Sequence, residues 1–275
     1  MQGASKTALG VGILRAMHRL VDREPWVVDD PVSSHLFGSA ARALLASDAP
    51  RFAGARADAL RGHVLVRSAF AEASLRAAVE RGVAQCVQLG AGYDTLAYRQ
   101  PAWLRGVRMY EVDAPETQVD KRERLRAADV AIPPNLTFAA IDFERTSLAD
   151  GLAAAGFDLR ATAFFSWLGV MMYLTRDAVD AVFRFVAARP RGSEIAFTFT
   201  VPGRDGDDDS LASRVAALGE PLRTRIAAVE LTAMLGELGF RDVTIVSAES
   251  ARALLGQRSD ALTLPDRESM GAAIV

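Results

Sequence analysis

The chain has 275 residues, half of them hydrophobic, which suffices for one large α/β domain with a sizeable core. Its 32 basic and 34 acidic residues give a formal net charge of −2 without a long block of either sign, which argues against nucleic acid or an anionic membrane surface as the main partner. No window is apolar over the roughly 18 residues that a membrane span requires, so we expect a cytoplasmic protein.

Helical spacing dominates the first part of the chain. Apolar residues recur three and four positions apart over residues 8–20 and 60–78, and Asp30-Pro31 follows the first of these windows. We therefore predict an N-terminal helical cap over residues 1–80.

Short apolar runs separated by amphipathic helices replace this pattern from residue 83 onward. A parallel connection needs a dozen or more residues, so strands that alternate with helices predict a doubly wound α/β sheet that is mostly parallel. We expect this core to span residues 81–275 and to form a single compact unit with the cap. The predicted strands occupy residues 83–89, 107–112, 136–141, 161–167, 194–201, 243–246 and 272–275, and a helix over about 227–238 is stopped by Gly239.

The pattern loosens over about residues 202–225, which we interpret as a lid inserted into the core. An acidic run at 205–209 precedes a short helical stretch and the motif Gly219-Glu220-Pro221. The arginines of this lid either hold an acidic substrate or are solvated charges, and both interpretations stay open. They are Arg204, Arg223 and Arg225.

A glycine turn, Leu89-Gly90-Ala91-Gly92-Tyr93-Asp94-Thr95, follows the first predicted strand, where a doubly wound sheet binds ligands. Thr95 stands where a dinucleotide-binding motif has its third glycine, and Asp94 would repel a diphosphate. S-adenosylmethionine carries an ammonium and a sulfonium, which a carboxylate attracts. We therefore predict that Gly90, Ala91, Gly92 and Asp94 bind this cofactor; the alternative is a tight turn without a ligand.

Two acids end the second predicted strand, in Tyr110-Glu111-Val112-Asp113, at the distance from the turn where a carboxylate binds ribose hydroxyls. Alternation points Glu111 and Asp113 to the same side, so both stay candidates beside the alternative of surface carboxylates. Asp142-Phe143, at the end of the third predicted strand, suits hydrogen bonding to and stacking on an adenine.

The positions of the histidines and of the single cysteine constrain the chemistry. Cys86 lies inside an apolar strand pattern, so we expect a buried inert thiol, no disulfide and no metal site. His18, His35 and His63 all precede the first predicted strand. A carboxylic acid is already ionised at neutral pH whereas a phenol benefits from a base, so this placement favours a carboxylate as methyl acceptor.

Residues 87–99, from Val87 to Arg99, resemble the signature of the leucine carboxyl methyltransferase family, whose bacterial branch includes many O-methyltransferases. Further ordered motifs resemble the family along nearly the whole chain. They are Tyr110-Glu111-Val112-Asp113-Ala114-Pro115 with Lys121, Gly169 to Met172 with Tyr173-Leu174-Thr175, Gly219-Glu220-Pro221, and residues 258–265.

The resemblance implies a class I methyltransferase (Rossmann-like) sheet, completed by a C-terminal antiparallel pair and covered by an N-terminal helical cap. It assigns cofactor binding to Arg67, Gly90, Asp113, Asp142 and Phe143, with the Arg67 guanidinium clamping the methionine carboxylate. Two positions depart from the family pattern. Ser68-Ala69 and Glu72 replace its Thr-Arg and Asp, and Leu168 replaces a glutamate before Gly169, where only backbone groups remain to contact the cofactor.

The predicted function is S-adenosylmethionine-dependent O-methylation, with S-adenosylhomocysteine as product and a small carboxylic acid as acceptor. Tyr173, just past the fourth predicted strand, either orients this acceptor or packs in the core. Two other functions stay open: a nicotinamide-dependent oxidoreductase on a similar sheet, and a relative that binds S-adenosylmethionine without turnover. The sequence does not identify the acceptor or the oligomeric state.

Overall fold

A computed structural model describes residues 3–47, 54–203, 210–246, 248–255, 262–264 and 268–275. Within these ranges seven strands form one sheet in the order β3-β2-β1-β4-β5-β7-β6. The strands are β1 Gln85–Leu89, β2 Arg108–Asp113, β3 Leu136–Ala140, β4 Phe164–Trp167, β5 Glu194–Thr200, β6 Arg241–Val246 and β7 Glu268–Ile274.

The pairing of the strands confirms the predicted α/β sheet. The first five strands are parallel, and β7 runs antiparallel to both β5 and β6. The chain builds β2 and β3 outward on one side of β1 and then returns to place β4 and β5 on the other side. The carboxyl ends of β1 and β4 therefore flank the point where the strand order reverses, which is where open α/β sheets bind ligands.

Ten α-helices fall within the described residues, and none of them is long and apolar enough to cross a membrane. The helices are α1 Lys6–Val21, α2 Pro31–Ala46, α3 Ala55–Glu80, α4 Leu96–Arg99, α5 Pro115–Ala127, α6 Leu148–Ala154, α7 Arg176–Ala187, α8 Ser210–Ala217, α9 Ala228–Glu237 and α10 Ala248–Leu255.

Alternation along the buried strands divides the core into two layers. On β4, Phe164 packs with Leu75 of α3 on one face of the sheet, whereas Phe165 and Trp167 pack with Phe183 of α7 on the other. The Trp167 and Phe183 rings meet edge to face with centroids 5.3 Å apart. Within the described ranges helices thus cover both faces of the sheet, and a ligand can approach it at the strand ends.

The cap consists of α1, which packs on both α2 and α3; α3 itself lies against β4, β5 and β7. The Ser5 hydroxyl caps α1 by accepting from the Ala8 N–H, and the Asp30 carboxylate caps α2 by accepting from the Ser33 N–H, with Pro31 at the first helical position. Gly12 lets the two helices approach, because a Cβ there would lie 2.8 Å from the Phe37 ring. The two N-cap residues, Ser5 and Asp30, also connect α1 and α2 to residues near the strand ends.

Differences from the sequence-based boundaries are small. The predicted strand at 272–275 begins earlier, at Glu268, because its whole length pairs with β5. We did not predict α10 as a separate element. Arg204, the acidic run at 205–209 and most of the 258–265 segment lie outside the described residues.

We expect Gly62→Ala to destabilise the fold although alanine is the better helix former. A Cβ on Gly62 would lie 1.9 Å from the backbone carbonyl oxygen of Thr263, which cannot rotate away as a side chain could. The overpacking costs about 1–3 kcal/mol, more than the gain in helix propensity of about 1 kcal/mol. The control Gly236→Ala, with nothing within 4 Å of its Cβ, should be neutral or stabilising. Urea unfolding of both variants measures the difference, and equal stability would contradict the packing described.

Candidate functional site

A cavity of about 970 Å³ opens at the carboxyl ends of β1 and β4, between the sheet and the cap. This volume lies at the upper end of the range for small-molecule sites, about 300–1,000 Å³. The structure brings ten of the eleven predicted site residues to its wall and leaves Glu111 outside. The ten are Arg67, Gly90, Ala91, Gly92, Asp94, Asp113, Asp142, Phe143, Leu168 and Tyr173.

The turn after β1 presents its backbone to the cavity. Gly90 and Gly92 have φ values of +68° and +49°, which favour glycine. The N–H groups of Gly90 and Ala91 both donate to the Val112 carbonyl, at 2.8 and 2.9 Å, so the turn is held against the end of β2. A Cβ on Gly90 would lie 2.3 Å from a methyl group of Val170, so this position has no room for a side chain.

Asp113 meets this turn from the end of β2. Its carboxylate accepts from the Gly92 N–H at 2.5 Å and from the Ala114 N–H at 2.8 Å. Burial raises the pKa of Asp113, and these two hydrogen bonds oppose the rise only in part. A carboxylate has about four acceptor positions, so two stay available for hydroxyl groups of a ligand.

Glu111 lies two residues further back along β2 and is fully buried away from the cavity. Its carboxylate accepts from Lys121 Nζ of α5 at 2.7 Å and from the Tyr98 hydroxyl at 3.2 Å. Burial raises the pKa of Glu111 although Lys121 favours the charged form. Of the two acids that the sequence could not separate, Asp113 is therefore the one that a ligand can reach.

Asp94 lines the cavity, but its carboxylate is already bound within the protein. One oxygen accepts from Gln88 Nε2 and from the Leu96 N–H, at 2.8 and 2.9 Å, and the other from Arg15 Nη1 of α1. Burial alone would raise the pKa of Asp94, but Arg15 and then Arg99 outweigh it and hold the pKa below its usual range. Asp94 is thus an ionised group that ties the turn to the cap.

Arg67 of α3 enters the cavity beside the loop that follows β4. Gly169 there has φ +72°, and a Cβ on it would lie 2.7 Å from both terminal nitrogens of the Arg67 guanidinium. The Gly169 N–H donates to Thr198 Oγ1 at 2.7 Å, which fixes the loop against β5. The Arg67 guanidinium thus lies close to the Gly169 backbone, and half-buried Leu168 is on the same wall.

Asp142 and Phe143 follow β3 and are half-buried on the opposite side of the cavity. The Asp142 carboxylate accepts from the Glu144 N–H at 3.0 Å, and its carbonyl accepts from the Thr146 N–H at 2.8 Å. Phe143 packs its ring partly against the core. The exposed part of Asp142 gives the cavity a polar edge, and the exposed part of Phe143 gives it an aromatic edge.

Glu220, from the segment predicted as a lid, has a buried carboxylate on the cavity wall at the N-terminus of α1. It accepts from the Lys6 N–H at 2.8 Å, from the Ser5 hydroxyl at 3.2 Å and from the Thr7 hydroxyl. Further along, the Arg223 N–H donates to the Met172 carbonyl at 2.7 Å, next to Tyr173. The lid and the cap therefore meet above the strand ends.

The histidines and the cysteine take structural positions away from the cavity wall. His18 contacts Asp22 through Nδ1 at 2.8 Å and accepts from the Val27 N–H through Nε2, and His35 Nε2 lies 2.8 Å from the Ala128 carbonyl. Cys86 is buried, which raises the pKa of its thiol. Among the described residues of the wall there is no histidine or cysteine. The described side chains also contain no group of three or more potential metal ligands.

Sequence reasoning missed two contacts at this site. Arg15 reaches the glycine turn from α1 but is not part of the apolar stripe predicted there, and Glu220 appears in the sequence only as part of the Gly219-Glu220-Pro221 motif. The helix start at Asp30-Pro31 is the one signal that could have led to Arg15, because Asp30 binds it as well.

A sheet of this order, with a glycine turn after β1 and an acid at the end of β2, defines the class I methyltransferase fold. Residues 8–187 match the leucine carboxyl methyltransferase family, and the chain belongs to this family.

Named relatives agree with this membership. The chain is 34% identical over 183 residues to YktD of Bacillus subtilis strain 168, an alignment that covers 64% of this chain and 60% of YktD. A Mycobacterium marinum protein is 29% identical over 278 residues, covering 90% of this chain and 87% of that protein. Both are provisionally named S-adenosyl-L-methionine-dependent methyltransferases. The chain thus spans about three fifths of the length of YktD.

Two crystal structures share the fold at low sequence identity. A DUF574 family protein from Streptomyces avermitilis MA-4680 superposes with a TM-score of 0.61 at 17% identity, covering 95% of this chain and 96% of that one. A protein from Thermobifida fusca YX, provisionally named a methyltransferase, superposes with a TM-score of 0.58 at 20% identity, covering 88% and 92%.

We expect Lys121→Met to lower the free energy of unfolding by about 3–5 kcal/mol, since it leaves the Glu111 carboxylate buried without its counter-ion. The folded-state pKa of Glu111 then rises further, so the deficit grows as the pH increases. The double variant Lys121→Met/Glu111→Leu leaves no charge unpaired and should recover most of the loss. Urea unfolding at pH 5.5 and pH 8 tests both, and a deficit that shrinks as the pH increases would contradict this description.

Proposed function

We propose that this chain is an S-adenosylmethionine-dependent methyltransferase that methylates oxygen, on a carboxylate of a small molecule. The observation that carries the proposal is the meeting of the β1 glycine turn with Asp113 at the wall of one large cavity, where the Gly92 N–H lies 2.5 Å from the carboxylate. An adenosyl group needs a backbone turn that it can approach closely and, at the neighbouring strand end, an acid that binds its ribose. Family membership and the names of the relatives support it.

The described residues fit this cofactor along its length. Gly90 and Gly92 bring backbone to the cavity wall, and Asp113 keeps acceptor positions for the ribose hydroxyls. Asp142 and Phe143 offer a polar and an aromatic edge to the adenine. Arg67 provides a fork for the methionine carboxylate. When bound, S-adenosylmethionine supplies a methyl group that its positive sulfur has already activated.

The helix that follows the glycine turn argues against a dinucleotide. Diphosphate sites use the N-terminal N–H groups and the dipole of a full-length helix, but α4 spans only the four residues Leu96–Arg99. The Asp94 carboxylate already accepts from the Leu96 N–H at the start of α4. An ionised acid on a single helical turn repels a diphosphate and tolerates a donor that carries an ammonium and a sulfonium.

The acceptor side of the cavity favours a carboxylate attached to an apolar body. A carboxylate is ionised at neutral pH and needs no base, consistent with a described wall that has no histidine. Tyr173 and Met172 line the cavity just after β4, and the role proposed for Tyr173 is to orient the acceptor. Large aliphatic side chains from the cap and the lid face the remaining space, and an apolar body would cover them. They are Leu9, Leu44, Leu60, Val64, Val215 and Leu222.

The purified chain should bind S-adenosylhomocysteine and not NAD in isothermal titration calorimetry. Gly90→Ala should weaken this binding at least tenfold, because the new methyl group collides with Val170 and strains a positive-φ position. Gly106→Ala is the matched control, since nothing lies within 4 Å of its Cβ. NAD binding without S-adenosylhomocysteine binding would overturn the proposed function.

The same binding should weaken as the pH is lowered through the raised pKa of Asp113, because a protonated carboxyl loses acceptor positions. Asp113→Asn should weaken binding at neutral pH and flatten this pH dependence. A pH profile that Asp113→Asn leaves unchanged would remove Asp113 from the ribose site.

Straight-chain carboxylic acids should be methylated and the matching primary alcohols should not. Each methylene buried in the apolar part of the cavity adds about 0.8 kcal/mol, so kcat/KM should rise with chain length until the space is filled. Leu60→Asn should lower kcat/KM for a long acid much more than for a short one. Mass spectrometry of the methyl esters measures the series, and turnover of alcohols alone would contradict a carboxylate acceptor.

A further inference from the structure

Arg15 connects the cap to the proposed donor site through a buried ionic bridge. Its side chain is 4% exposed and lies between two carboxylates, with Nε and Nη2 each 3.2 Å from Asp30 Oδ2 and Nη1 2.5 Å from Asp94 Oδ2. Thr95 completes the bridge by donating its hydroxyl to Asp30 Oδ2. One guanidinium thus joins the cap of α2 to the glycine turn.

We propose that Arg15 is a positioning residue for the donor, one that holds the glycine turn in its binding conformation through Asp94. The inference rests on the proposed function, because it concerns the same site. It names the cap helix α1 as a part of the donor site, in addition to the strand ends.

The contacts of Asp94 show how the effect is transmitted. One Asp94 oxygen joins Gln88 on β1 to the Leu96 N–H of α4, so it spans the two ends of the turn. Arg15 holds the other oxygen and thereby sets the orientation of the carboxylate. A second contact supports this arrangement, since a Cβ on Gly92 would lie 3.3 Å from the Ala8 methyl group of the same helix α1.

Charge balance gives the second reason. The buried cluster contains three acids, Asp30, Asp94 and Glu72, against Arg15 and Arg99, and Arg99 is bound chiefly to Glu72, with Nη1 3.1 Å from Oε2. Without Arg15 the negative charge of Asp94 beside the glycine turn would lose its nearest counter-ion. That charge would repel the carboxylate at the methionine end of the donor. The unpaired Asp94 carboxylate would either rotate towards water or take up a proton.

The test measures S-adenosylhomocysteine binding by calorimetry and hydrogen exchange of the peptide that covers residues 89–96. Arg15→Ala and Asp94→Asn should each weaken binding at least tenfold and speed exchange of this peptide. The double variant should be no weaker than the worse single one, because both act through one contact. Arg15→Lys keeps the charge but not the fork, so it should restore part of the affinity. At saturating donor, KM for the acceptor should change less than twofold.

Two controls on the same helix separate positioning from general loss of stability. Arg19→Ala removes an exposed ion pair with Asp29 and should leave binding unchanged. Met17→Ala removes a fully buried side chain and should lower the melting temperature without weakening binding. Binding losses in Met17→Ala equal to those in Arg15→Ala would overturn the inference, as would wild-type affinity in Asp94→Asn. If the wild-type chain itself fails to bind S-adenosylhomocysteine, the proposed function fails instead.

Discussion

The contact between the glycine turn and Asp113 is the constraint on which the site depends. It forms only because β1 and β2 are adjacent and parallel, with Leu89 opposite Val112, so that the two chain segments leaving the sheet emerge side by side. The Val112 carbonyl then accepts from two successive N–H groups of the turn, and the acid that follows accepts from a third. The same few hydrogen bonds of the turn backbone therefore hold β1 to β2 and shape the site.

Buried charged side chains surround this contact, and two of the acids have a partner of opposite charge. Lys121 neutralises Glu111 behind the strand, and Arg15 neutralises Asp94 in front of it. Asp113 lies between them with backbone N–H groups as its partners in the structure, which leaves it the acid of the three that can accept hydrogen bonds from a ligand. Lys121 and Arg15 thus balance the two neighbouring acids and leave Asp113 with acceptor positions that face the cavity.

Local pattern predicted the sheet and the part of the cavity wall that lies at the strand ends, because each strand is an apolar run that ends at a turn. A local pattern does not predict contacts between segments that are distant in the sequence. Alternation placed Glu111 and Asp113 on one side and could not show that Lys121 covers only the first. Arg15 meets partners 15 and 79 residues away, so nothing in its helix marked it. The acid in the glycine turn predicts that Asp94 attracts a cation, but both Asp94 oxygens already accept hydrogen bonds from Gln88, the Leu96 N–H and Arg15.

Glu220 joins the start of α1 to a segment that is distant in the sequence. The first turn of a helix is the part most prone to fraying, and here one carboxylate accepts from the Lys6 N–H and from the Ser5 and Thr7 hydroxyls. The order of this turn therefore depends on a side chain 214 residues away from Lys6, whereas hydrogen bonds between neighbouring strands hold the strand ends.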